Sequence, residues 1–96
     1  MSAAQSGEVQ VTVGLPLLPR QFSPPDPVVE RLQHMLNATG AVYGHAPLVE
    51  DGDWGPNTRA AVERFQKDRA LPENGKVDKA TWAELLHYWL RQDMFG

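Results

Sequence analysis

A chain of 96 residues with 12 acidic and 9 basic side chains, net charge −3, is long enough for one domain around one modest core. The acidic balance disfavours nucleic acid and anionic membranes as partners, and no run approaches the roughly 18–20 apolar residues of a membrane span. With no cysteine, neither a disulfide framework nor a thiolate metal site is available.

The first residues, Met1-Ser2-Ala3-Ala4-Gln5, lack the basic residues and apolar stretch of a secretion signal, so the chain is expected to be made in the cytoplasm with no visible export route. Val9, Val11, Val13 and Leu15 alternate with Gln10, Thr12 and Gly14, a two-residue period that predicts one short strand. Pro16, Pro19, Pro24 and Pro25 then exclude a helix. Residues 1–25 are expected to form an extended arm that lies on the domain, pairs with another molecule or stays unpaired.

The compact part, residues 26–96, opens at Asp26-Pro27, a capping aspartate before a proline at the first helical position. Val28, Val29, Leu32, Met35 and Leu36 recur at helical spacing and Gly40 supplies a stop, which predicts helix one over about 27–39. A glycine- and proline-punctuated loop covers 41–55. Gly55-Pro56 starts helix two, with Thr58, Ala61, Val62 and Phe65 facing inward, and Leu71-Pro72 ends it. Asp78 caps helix three, which runs through about Arg91 with Trp82, Leu85, Leu86, Trp89 and Leu90 on one stripe.

Two segments match when offset along the chain. Gly52-x-Trp54-x-x-x-Thr58-x-x-x-Val62 lies over Gly75-x-Val77-x-x-x-Thr81-x-x-x-Leu85. Each reads as a glycine turn, an inward apolar residue, a helix start and a threonine placed to bond backbone in the first turn. Two such loop–helix repeats closed by helix one predict an all-α, compact three-helix bundle.

The run Val29-x-x-Leu32-Gln33-x-x-Leu36, the stretch Asp51-Gly52-Asp53-Trp54-Gly55-Pro56-Asn57-Thr58-Arg59-Ala60-Ala61-Val62-x-x-Phe65-Gln66, and Leu71-Pro72, Gly75-x-Val77 and Ala80-Thr81-Trp82-x-x-Leu85 resemble the peptidoglycan-binding domain family, a three-helix module of cell-wall hydrolases. The resemblance covers about residues 28–86. It implies recognition of wall polymer without cleavage. Ala70 stands where the family usually has glycine, and Lys76 and Asp78-Lys79 also depart from its pattern. Trp54, Phe65 and Trp82 are read as core rather than sugar platforms, and Gln33 and Gln66 as bonding loop backbone rather than ligand.

Peptidoglycan offers neutral sugars and peptides with free carboxylates, so a binder needs hydrogen-bonding groups, an apolar wall and a cation. Tyr43 and His45 in the long loop, with Asp53, Asn57 and Arg59 at the start of helix two, are the candidate ligand-binding residues. Arg59 is also spaced to pair with Glu63 on a solvated face. Asp51 and Asp53 share one loop, an arrangement that does not set a carboxyl on each side of a scissile bond, so no catalytic residue is expected. His34, His45 and His87 lack zinc spacing, and Asp51-x-Asp53 lacks the rest of a calcium loop, so neither a metal nor another cofactor is expected.

Trp89, Leu90, Met94 and Phe95 carry more apolar surface than a core of this size needs. Either the arm folds over them through Val11, Val13 and Leu15, or a partner protein covers them. The first reading of the whole is a non-catalytic module that tethers itself or a partner to the bacterial wall. The second is a structural adaptor of a phage tail or contractile injection particle, with the arm adding a strand to a neighbour.

Overall fold

Asp26 sits in extended backbone and its carboxylate accepts the Val28 N–H at 2.9 Å, while Pro27 fills the first helical position, where a missing N–H costs nothing. In the computed structural model, which describes residues 15–40 and 44–95 with side chains through Leu90, this cap opens helix α1, Pro27–Ala38. Gly55 precedes α2, Pro56–Asp68. Asp78, whose carboxylate accepts the Thr81 N–H at 3.0 Å, precedes α3, Lys79–Phe95. These are the three helices that the sequence predicts, and the fold is all-α. The strand-like feature among the described residues is an isolated antiparallel bridge, Leu18 to Val77. Helix α3 passes its expected end near Arg91 because nothing from there to Phe95 is glycine or proline. Among the described residues no helix is long and apolar enough to cross a membrane.

Helix α1 packs against both α2 and α3. Its buried stripe, Val29, Leu32, Met35 and Leu36, meets Ala61, Val62 and Phe65 of α2 and Trp82 and Leu85 of α3 in one apolar cluster, with Leu48 and Val77 added from the loops. Trp54, expected inside with Phe65 and Trp82, is half-buried at the edge of this cluster, whereas its repeat counterpart Val77 is fully buried. The larger indole reaches past the space that a valine fills.

The remaining core residue comes from the arm. Leu18 is fully buried, exchanges backbone hydrogen bonds with Val77 at 2.8 and 3.1 Å, and stands two residues after Pro16, whose carbonyl accepts the indole N–H of Trp82 at 2.8 Å. Arg20 then closes on the helix cap. Its guanidinium donates to both carboxylate oxygens of Asp26, at 2.6 and 2.7 Å, and stacks over Phe22 at 4.5 Å. The Arg20 hydrogen bonds hold the buried Asp26 carboxyl below its usual range.

Helix α2 ends in a Schellman motif. The Leu71 N–H reaches back to the Gln66 carbonyl at 2.8 Å and the Ala70 N–H to that of Lys67 at 3.2 Å. That geometry places Ala70 at φ +61°, the left-handed region where glycine is unstrained and a Cβ is not.

Candidate functional site

Helices α1 and α2 each grip the turn that opens the next helix, and each does so with a glutamine. Gln33 of α1 is buried, and its amide group donates to the Asp53 carbonyl at 3.1 Å, to the Thr58 hydroxyl at 3.1 Å and to Asp51 at 3.3 Å. Its amide oxygen accepts the Gly52 N–H at 2.9 Å. Gln66 of α2 repeats the pattern one unit later, donating to the Lys76 carbonyl at 2.8 Å, Asn74 at 3.1 Å and the Thr81 hydroxyl at 3.2 Å, and accepting the Gly75 N–H at 3.0 Å. The threonine hydroxyls, expected to bond backbone in their own first turns, meet these amides instead. The glutamines hold loop backbone from the interior, as the sequence reading supposed, and the side chains of Asp51 and Asn74 shape the turns by accepting the N–H two residues on, at 3.0 and 2.9 Å.

The first of these turns carries a cleft of about 190 Å³ at the start of α2, lined by Leu48, Val49, Asp51, Asp53, Gly55, Pro56, Asn57 and Thr58 together with Gln33. Gly52 has no room for a side chain there: at φ +74° a Cβ would come within 2.9 Å of the Asp26 backbone. The cleft wall is fastened to α1 by Asn37, which bonds both backbone groups of Leu48, at 2.8 and 2.9 Å, and the Glu50 carboxylate at 2.9 Å. The Asn37 hydrogen bond, aided by His34 at 3.1 Å, draws the Glu50 carboxyl below its usual range against the opposing effect of desolvation.

Of the expected ligand-binding residues, the structure brings Asp53 and Asn57 together in this cleft. His45 is exposed and is not among the lining residues, and Tyr43 lies outside the described residues. Arg59 points elsewhere. It is bonded to Glu63 at 3.0 Å, and the pair lies against the second turn, where a Cβ on Gly75 would come within 2.9 Å of the Arg59 Nε. Of the expected partner-binding residues, Leu15 and Trp89 are half-buried against the core and Leu90 is 46% exposed. Val11 and Val13, and the side chains of Met94 and Phe95, lie outside the described residues.

A second, larger depression of about 530 Å³ escapes linear inspection. Pro27, Glu30, Arg31 and His34 from the outer face of α1, Glu50 from the loop and Trp89 from α3 line it. Only the tertiary fold brings these three segments to one place.

Comparison with known proteins agrees with this architecture. Residues 25–85 match the family model described as "Putative peptidoglycan binding domain". A curated relative, "Putative OxPP cycle protein OpcA" of Synechococcus elongatus, is 41% identical over 56 residues, which are 58% of this chain. The chain spans 12% of that relative's length. No solved structure matches. The family match covers more than half of the 96 residues and takes in all of α1, all of α2 and the buried start of α3. The chain belongs to the peptidoglycan binding domain family.

Proposed function

We propose that the chain binds peptidoglycan without cleaving it and tethers itself, or whatever it is attached to, at the bacterial cell envelope. The observation that carries this reading, beside the family match, is the cleft at the start of α2. It combines the apolar Leu48, Val49 and Pro56 with the polar Asp51, Asp53, Asn57 and Thr58, on a turn that Gln33 holds through hydrogen bonds to its backbone. Among the described residues the Asp53 carboxylate and the Asn57 carboxamide have no hydrogen-bond partner, so both can receive a ligand. The cleft is small, suited to one group of a stem peptide. Tyr43, His45 and Arg59 stay candidate ligand-binding residues outside the cleft lining.

The non-catalytic part of the reading is supported by the state of Asp51. Its Oδ1 accepts from the Asp53 N–H and from the amide of Gln33, a turn-forming role that leaves it poorly placed as a general acid or base. A structural adaptor of a phage tail or contractile particle would use other surfaces, among them Leu17, Phe22 and Leu90, each about half exposed.

Co-sedimentation with purified sacculi tests the proposal. The protein is expected in the pellet at micromolar concentration, with the combined Asp53→Ala and Asn57→Ala variant left largely in the supernatant. Wild-type protein that stays wholly in the supernatant, or sacculi that release soluble sugar or peptide on incubation, would count against it.

A further inference from the structure

The cleft and the larger depression are neighbours across a single ridge. In the segment 48–51, Leu48, Val49 and Asp51 line the cleft while Glu50 lines the larger depression. The same division falls between consecutive residues of α1, with Gln33 under the cleft and His34 in the groove. A branched ligand with one arm in the cleft therefore meets the groove with its other arm.

The groove has the composition of a site for a neutral polyhydroxyl chain. Trp89 is half-buried with part of its ring packed against the core cluster, so the indole is held in place and what it shows to the groove is a fixed apolar wall. Glu30, Arg31, His34 and Glu50 line the groove with it, all exposed, and supply both donors and acceptors. Two carboxylates set against one guanidinium leave at most a small negative excess, which favours an uncharged ligand over an anionic one. At about 530 Å³ the groove falls within the roughly 300–1,000 Å³ of ligand pockets, whereas the cleft, at about 190 Å³, does not.

We propose that the Trp89 groove is a glycan subsite, taking N-acetylated sugar rings against the indole while the peptide branch enters the Asp53–Asn57 cleft across the Glu50 ridge. This rests on the reading of the chain as a peptidoglycan binder and assigns the glycan strand a place on it. Acetamido and hydroxyl groups pair with the exposed Glu30 and Arg31, beside the bonded His34–Glu50 pair, and the apolar face of a sugar ring covers Trp89.

The probe is the tetramer of β-1,4-linked N-acetylglucosamine, which carries no peptide, and the readout is the indole N–H resonances, that of Trp89 assigned by its loss in Trp89→Phe. The Trp89 signal is expected to shift saturably with a dissociation constant of about 1 mM, and that of Trp82, bonded to Pro16 inside the core, to stay still. Arg31→Ala, an exposed change that leaves the core intact, is expected to weaken the response by roughly threefold or more. A Trp89 signal that ignores the tetramer while the wild-type protein pellets with sacculi overturns the subsite and leaves the peptidoglycan reading standing; in that case a protein partner is the better occupant. A Trp89 response without pelleting supports the sugar site and removes the peptidoglycan reading.

Discussion

Leucine at position 33 or 66 would keep the size of the side chain and strand the groups it bonds. In each case a glycine N–H and a loop carbonyl lose their buried partner. Gln33→Leu and Gln66→Leu are each expected to lower unfolding free energy by about 2–4 kcal/mol, and by similar amounts because the two networks are alike. Urea denaturation checks this; a loss smaller than about 0.5 kcal/mol in either variant would mean that the glutamines are not what holds the turns. Ala70→Gly goes the other way. Relieving the left-handed alanine is expected to raise stability by about 1 kcal/mol, read from the same denaturation curves. The glycine repeat and the departure at Ala70 were legible in the sequence. The glutamine pairing was harder to see, because the same geometry spans 19 residues in one unit and 9 in the other, so no fixed offset exposes it.

At the scale of elements, the arm is the part that periodicity failed to resolve. The strand predicted from the alternation of Val9 to Leu15 lies, up to Gly14, outside the described residues, while Leu18, lying between prolines with no pattern around it, is a core residue and Arg20 is the clamp on the α1 cap. Leu18→Ala is expected to cost about 3 kcal/mol, as a fully buried leucine does, and removing residues 1–25 should cost more. A truncated chain that unfolds at the same urea concentration as the full one would contradict the packing of the arm. The clamp also sets a pH dependence. The Asp26 carboxyl is held below its unfolded value, so its contribution is complete above the unfolded carboxylate range and is lost as pH falls through the folded value. Stability should therefore drop between about pH 5 and pH 2, and Asp26→Asn should flatten that part of the profile while lowering stability at neutral pH. An unchanged slope in the variant would assign the acid sensitivity to other carboxylates.

For the whole molecule, three helices, two of them opened by a capping aspartate, and a shared core follow from spacing and composition, and so does the position of the first turn, because these depend on residues close in sequence. The proposed binding face is only partly legible in the sequence. Asp53 and Asn57 are near one another along the chain and could be grouped by inspection, whereas the Trp89 groove joins the outer face of α1, one loop residue and the far end of α3. Arg59 takes the pairing with Glu63 that its spacing also offered, and the pair lies against the second turn. The most direct test of peptidoglycan binding through this face is an NMR titration of the full chain with soluble muropeptides. The backbone amides from Gly52 to Thr58 are expected to shift together and to saturate. Resonances of that turn that stay fixed at about millimolar ligand, or shifts confined to the turn before α3, would contradict it.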